Sequence, residues 1–219
     1  MDILQTTIES INTWSTPLFT SQQADHTFLK ETLIEHIYHC KELQQQAIDS
    51  QVAPLAKHQL FESRLDFLES ELPEVIELKR SFEELLTQAA SIANQDAWPA
   101  EVTASAYIVE SWYHITQNGG YHDTHSHPNC SWCGIYYLDV GDSDLTSRNG
   151  INRFYDPRVN AEHYQDAGTA YLSHQGVWDF APKEGQIILF PSYLKHAALP
   201  YFGQTDRIVI AFNAVVDFD

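Results

Sequence analysis

Positive charge is scarce in this chain. Twelve lysines and arginines stand against 30 aspartates and glutamates, a formal net charge of −18 at pH 7. Such a balance repels a phosphate backbone and anionic lipid headgroups, so neither nucleic acid nor a membrane surface is an expected partner. Cysteine is nearly absent as well. Cys40, Cys130 and Cys133 are an odd number and too few for a disulfide framework. No apolar run approaches the ~20 residues that a membrane helix needs. The opening residues Met1-Asp2-Ile3-Leu4-Gln5 carry neither a basic region nor a long apolar stretch. No secretory leader is therefore expected, and a cytoplasmic location is. Internal repeats and low-complexity linkers are also missing.

What is present reads as globular. Apolar residues make up 43% and aromatics 12% of 219 residues, enough to bury a sizeable core in one large domain or a domain plus an appendage. The first hundred residues are expected to supply an edge strand and supporting helices. Trp14 to Thr20 is extended and contains Pro17, which suits a sheet edge. From Asp25, a candidate N-cap, Phe28, Leu29, Leu33, Ile34, Ile37 and Tyr38 recur at helical spacing. Leu60, Phe61, Leu65 and Leu68 suggest a second short helix within 51–70. Leu72 to Ala93 is a helix with Pro73 in its first turn and an apolar face of Val75, Ile76, Leu78, Phe82, Leu85 and Leu86. Strands are expected at 104–115, 131–140, 151–156, 177–181, 186–190 and 207–216. Helices first and strands after predict an α+β, mainly β fold. A jelly roll with N-terminal helices packed on its outside fits, the core occupying 101–219 within one structural unit.

The chemistry concentrates in Gly119-Gly120-Tyr121-His122-Asp123-Thr124-His125-Ser126-His127-Pro128-Asn129. Pro128 disfavours the helical conformation at His127, so the segment is extended. His125 and His127 then share a face, and the fold would bring in a third ligand. His196 follows the strand Gln186 to Phe190, and Arg207 opens the strand Arg207 to Asn213. The turn Phe202-Gly203-Gln204-Thr205-Asp206 between them predicts a hairpin. An arginine inside an apolar barrel requires a carboxylate or phosphate. Beside a metal, that suggests 2-oxoglutarate. Alternatively, the histidines line a polar loop or bind a zinc ion without catalysis, and Arg207 pairs with an acidic neighbour.

Several motifs in order resemble the 2-oxoglutarate/Fe(II)-dependent oxygenase superfamily, in particular its small bacterial and phage branch with a His-x-His motif. They are Thr16-Pro17-Leu18-Phe19, the run His125 to Tyr137, Asp156-Pro157-Arg158, Gly185 to His196, and Asp206 to Asn213. The match covers roughly residues 105–216. It implies a double-stranded β-helix that holds Fe(II) through His125, His127 and His196. Arg207 would bind the far carboxylate of 2-oxoglutarate, with Tyr137 donating a hydrogen bond to it. The implied activity is a dioxygenase, most simply a hydroxylase of a small molecule or peptide, consuming O2. Most of the superfamily has a carboxylate where this chain has His127. A cupin-like three-histidine dioxygenase without 2-oxoglutarate, or a zinc-binding non-enzymatic module, are the other readings.

Further residues carry weaker expectations. His122 and Asp123 are candidates for contact with the substrate or with the metal ligands, and Asp123 or Asp156 could replace His127 as ligand. Asn118 and Asn213 could hydrogen-bond a ligand. Asp156 and Arg158 read more simply as an ion-paired turn. Cys130 and Cys133, three apart along a strand, should face opposite sides. The insertion between Asp156 and Trp178, with Tyr164, Tyr171 and His174, is a candidate lid.

Overall fold

The computed structural model describes residues 15–48, 59–158, 166–172 and 176–219. Two antiparallel sheets face each other, and two helices cover the outer face of the larger one. In chain order the elements are β1 (Phe19–Gln22), α1 (His26–Ile48), β2 (Leu60–Glu62), α2 (Pro73–Asn94), β3 (Ala104–Thr116), β4 (His122–His125), β5 (Trp132–Asp139), β6 (Asn152–Tyr155), β7 (Val177–Phe180), β8 (Gln186–Pro191), β9 (His196–Ala198) and β10 (Arg207–Phe218). The large sheet runs β1-β8-β5-β10-β3-β2, and the small one β4-β9-β6-β7.

Period-2 alternation in the central strands builds two cores at once. In β10, Ile208, Ile210 and Phe212 point to the helices, whereas Arg207, Val209 and Ala211 face the space between the sheets. In β5, Tyr136 and Leu138 take the helix side, and Cys133, Ile135 and Tyr137 the inner side. Burial on both faces explains why these strands read as nearly continuous apolar runs. On the helix side, Phe82 of α2 stacks on Phe212 with ring centroids 4.6 Å apart. Leu29, Leu33 and Ile37 of α1 join the same core, while Phe28 stays 85% exposed. Pro73 sits in the first turn of α2, and Asp25 accepts the first backbone bonds of α1.

Two expectations are corrected. Residues 60–62 are a strand, not a helix, and only a single 3-10 turn, Phe67–Glu69, follows. Pairing with β3 (Leu60 opposite Thr116, Glu62 opposite His114) supplies the backbone partners there. The rest of that proposed helix, 51–58, lies outside the described residues. The hairpin between His196 and Arg207 does not form either. β9 pairs with β4 and β6 in the small sheet, while β10 lies between β5 and β3 in the large one. The edge strand does form, though it starts at Phe19 and pairs with β8. Among the described residues no helix is long and apolar enough to cross a membrane.

Candidate metal centre and anion pocket

A cavity of about 440 Å3, counted out to its open mouth, lies between the sheets. Three histidines reach it from two neighbouring elements and one turn. His125 ends β4 and is the register partner of His196, which opens β9, so the pairing itself sets two imidazoles side by side. His127 lies two residues beyond β4, and its backbone N–H donates to Ser192 O at 3.0 Å. The candidate ligand atoms of the three residues all lie within 4.8 Å of one another.

The ring nitrogens are already sorted. His125 Nδ1 lies 2.7 Å from Asp123 O, and His196 Nδ1 lies 3.1 Å from Leu194 O. Each Nδ1–H therefore donates to a backbone carbonyl, which fixes the tautomer and leaves Nε2 as the lone-pair nitrogen. His127 Nε2 and His196 Nε2 approach to 3.4 Å. Two imidazoles bound at about 2.0–2.1 Å to one ion stand roughly 3.0–3.4 Å apart, so the spacing suits a shared metal. Burial lowers the pKa of His127 to about 4 and that of His196 to about 3, with His125 adding to both shifts. Both rings are thus neutral ligands at pH 7. Trp112 stacks on His127 at 5.5 Å, and Phe154 on His196 at 5.6 Å, which restricts ring rotation.

Arg207 lines the same cavity and is 2% exposed. Its Nη2 donates to Asn152 Oδ1 at 2.7 Å, and its guanidinium lies 5.5 Å from the centre of the Tyr137 ring. Nε has no partner, and no described carboxylate reaches ion-pair distance of this cation. Burial pulls the Arg207 pKa down. A buried, unneutralised cation of this kind is a site for an anion. Tyr137 is fully buried and donates to Asn152 Oδ1 at 2.8 Å; burial raises its pKa against the opposing charge of Arg207. Asn152 therefore holds both groups, a role that sequence reasoning missed because an asparagine after Gly150-Ile151 reads as an ordinary turn residue.

The remaining candidates separate. Asp123 contributes its backbone oxygen to His125, not its carboxylate. Asp156 is tied to Arg158, whose N and Nε donate to its Oδ1 at 2.9 Å; that bond holds its carboxyl below the usual range. Neither acid belongs to the three-histidine group. Asn118 donates to Gly203 O at 3.2 Å within a turn. Asn213 donates to Glu110 Oε2 at 2.7 Å and accepts at 3.3 Å from the Sγ of Cys133, which lines the cavity whereas Asn213 does not. His122 does line the cavity, with its ring 4.1 Å from that of His125.

The two cysteines do not face apart. Cys130 precedes β5 in a turn where Asn129 takes φ +62°, so strand alternation does not govern it, and the Sγ atoms lie 3.8 Å apart as free thiols. Tyr164, His174 and the side chain of Tyr171, named for the lid, lie outside the described residues.

Residues 110–213 match the model of the family described as "Putative 2OG-Fe(II) oxygenase". No curated protein matches the sequence. Among solved structures the chain is similar to a prolyl-4-hydroxylase from Pseudomonas putida (12% identity over 91% of this chain and 93% of that one, TM-score 0.54). It is also similar to HygX from Streptomyces hygroscopicus with nickel, 2-oxoglutarate and hygromycin B bound (12% identity, 91% and 83% covered, TM-score 0.57). A third is AviO1 from Streptomyces viridochromogenes Tue57 (13% identity, 91% and 90% covered, TM-score 0.54). At these identities the likeness establishes the fold, the double-stranded β-helix expected above.

Proposed function

We propose that the chain, whose residues 110–213 match the model of the 2OG-Fe(II) oxygenases, is such an oxygenase and hydroxylates a small-molecule or peptide substrate. In this reading His125, His127 and His196 hold Fe(II), and Arg207 with Tyr137 holds the far carboxylate of 2-oxoglutarate. The observation that carries it is Arg207. A cation 2% exposed, without a carboxylate partner, opens onto the cavity that three convergent imidazoles share. HygX, of the same fold, has been solved with nickel and 2-oxoglutarate together, which supports the pairing of metal and 2-oxo acid.

When bound, the iron and 2-oxoglutarate supply the oxidising chemistry: O2 is consumed, the 2-oxo acid becomes succinate and CO2, and one oxygen atom is placed on the substrate. The residues of this chain position and insulate. Asn152 accepts one hydrogen bond from Arg207 and one from Tyr137, aiming the guanidinium with no charge of its own. Ile135, Phe190 and Val209 wall the cavity and exclude water, which strengthens the attraction between Arg207 and an anion. The backbone carbonyls of Asp123 and Leu194 hold the Nδ1 protons of His125 and His196. Three neutral imidazoles add no charge to Fe(II), so the dianion and Arg207 complete the balance at a net +1. A fourth ligand that would close a structural zinc site does not join the group among the described residues. A three-histidine enzyme without 2-oxoglutarate would need a substrate carboxylate to pair with the buried guanidinium.

The test is succinate formation from 2-oxoglutarate under air with Fe(II). His196→Ala should abolish it, and Arg207→Met should lower it at least about 15-fold at a 2-oxoglutarate concentration equal to the wild-type Kd. Turnover that survives His196→Ala, or that Arg207→Met leaves unchanged at that concentration, sinks the assignment.

A further inference from the structure

A second group of metal-binding side chains stands beside the first and shares no donor with it. Glu62 and His114 are register partners in β2 and β3 of the large sheet, and His122 comes across from β4 of the small sheet. His114 Nε2 lies 2.8 Å and His122 Nε2 3.7 Å from the same oxygen, Glu62 Oε2. The ligand atoms of all three lie within 4.8 Å of one another. We propose that Glu62, His114 and His122 form a second site, for a first-row divalent cation, at the mouth of the same cavity.

The geometry supports an ion over a simple ion pair. A Glu62–His114 pair needs only two residues, yet a second imidazole from the opposite sheet also turns its Nε2 toward that carboxylate oxygen. Neighbouring donors bound at about 2.0–2.2 Å to one ion sit roughly 3–3.6 Å apart, and the observed 2.8 and 3.7 Å bracket that range. Two imidazoles and a carboxylate suit zinc, iron or cobalt, and not the hard ions that prefer all-oxygen shells. His122 Nδ1 lies 3.1 Å from the carbonyl of Asp123, which as an Nδ1–H donor leaves Nε2 for the ion. The side chains of His114, His122 and Glu62 are 12%, 17% and 33% exposed, so the site is open to entry from solvent yet held by its neighbours.

The site would also serve the substrate space. His114 and His122 both line the cavity, and the His122 ring is 4.1 Å from that of His125. An ion held by three protein donors keeps positions open, so a hydroxyl or carboxylate oxygen of a substrate can bind it beside the first centre. Glu62 supplies the negative charge that the three-histidine group lacks. Repulsion between two nearby dications weakens whichever ion binds second.

The experiment is equilibrium dialysis of the full chain against Zn2+ alone, with bound metal counted by mass spectrometry. The expected result is two ions per chain for the wild type, one for Glu62→Gln, one for His122→Asn, one for His196→Ala, and none for Glu62→Gln combined with His196→Ala. Near-isosteric Glu62→Gln and partly exposed His122→Asn give two independent probes, each checked for native circular dichroism. One ion in the wild type overturns the proposal, as does retention of two ions by both Glu62→Gln and His122→Asn. Two ions in the wild type and in His196→Ala, with one in Glu62→Gln, would uphold this site while removing the three-histidine assignment.

Discussion

Replacing Arg207 by methionine should separate binding from stability in an informative way. In the free protein Arg207 is a cation 2% exposed without a carboxylate partner, so its removal relieves a desolvation penalty and keeps most of the side-chain volume. Free Arg207→Met is therefore expected to melt at or above the wild-type temperature. The hydrogen bond to Asn152 and the contact with the Tyr137 ring, each worth about 1 kcal/mol, work against it. Ligand binding should behave oppositely. Removing one partner of a buried, hydrogen-bonded charge pair costs about 2–5 kcal/mol, or a ~30- to ~4,000-fold weaker Kd for 2-oxoglutarate. The assay is thermal unfolding with Mn2+ under argon, with and without 2-oxoglutarate. At 100 times Kd the ligand stabilises the wild type by about 2.7 kcal/mol, and at the same concentration this protection should fall to about 0.9 kcal/mol or less in the variant. A variant that unfolds earlier when free, and is protected by 2-oxoglutarate as the wild type is, would refute the reasoning.

Other perturbations follow from the same geometry. In the metal-free protein His196 is neutral when folded, with its pKa lowered to about 3 by burial, whereas unfolded it titrates near 6.5. The unfolded state then binds the extra proton, so stability is complete above pH 6.5 and falls by about 1.4 kcal/mol per unit as pH drops toward 3; His127 acts in the same direction. Urea midpoints for metal-free protein between pH 4 and 8 test this, and a flat profile would contradict it. Gly134→Ala would place a Cβ 2.1 Å from the Phe212 ring, so a loss of about 1–3 kcal/mol is expected in urea unfolding; an unchanged midpoint would show that the sheet yields there. Phe82→Ala removes a fully buried ring stacked on Phe212 and should cost about 3–5 kcal/mol in the same assay, with metal stoichiometry unchanged in the fraction that folds.

The metal-centre candidates were legible because their residue types are few and their local signals strong. His125, His127 and Pro128 announce an extended histidine segment, and Arg207 at the head of an apolar strand demands an anion. α2 was readable for a similar reason, with Pro73 at its start and Val75, Leu78, Phe82 and Leu86 buried on one face. The failures have local causes too. A turn at Phe202 to Asp206 marks a reversal of the chain but not which sheet each flank joins, so β9 and β10 were wrongly paired. β9, with three residues, is too short to show alternation. β2 became a strand through pairing with β3, a partner remote in sequence. The Glu62–His114–His122 group is likewise invisible along the chain, because one member comes from each of three strands.

The most direct test of the central claim is anaerobic absorption spectroscopy. Fe(II) is added to metal-free protein, and 2-oxoglutarate follows. The weak visible charge-transfer band of the chelate should appear for the wild type, and it should be lost in His196→Ala and, at the same 2-oxoglutarate concentration, in Arg207→Met. Fe(II) binding without a band, or a band undiminished by both substitutions, would contradict the assignment of this cavity.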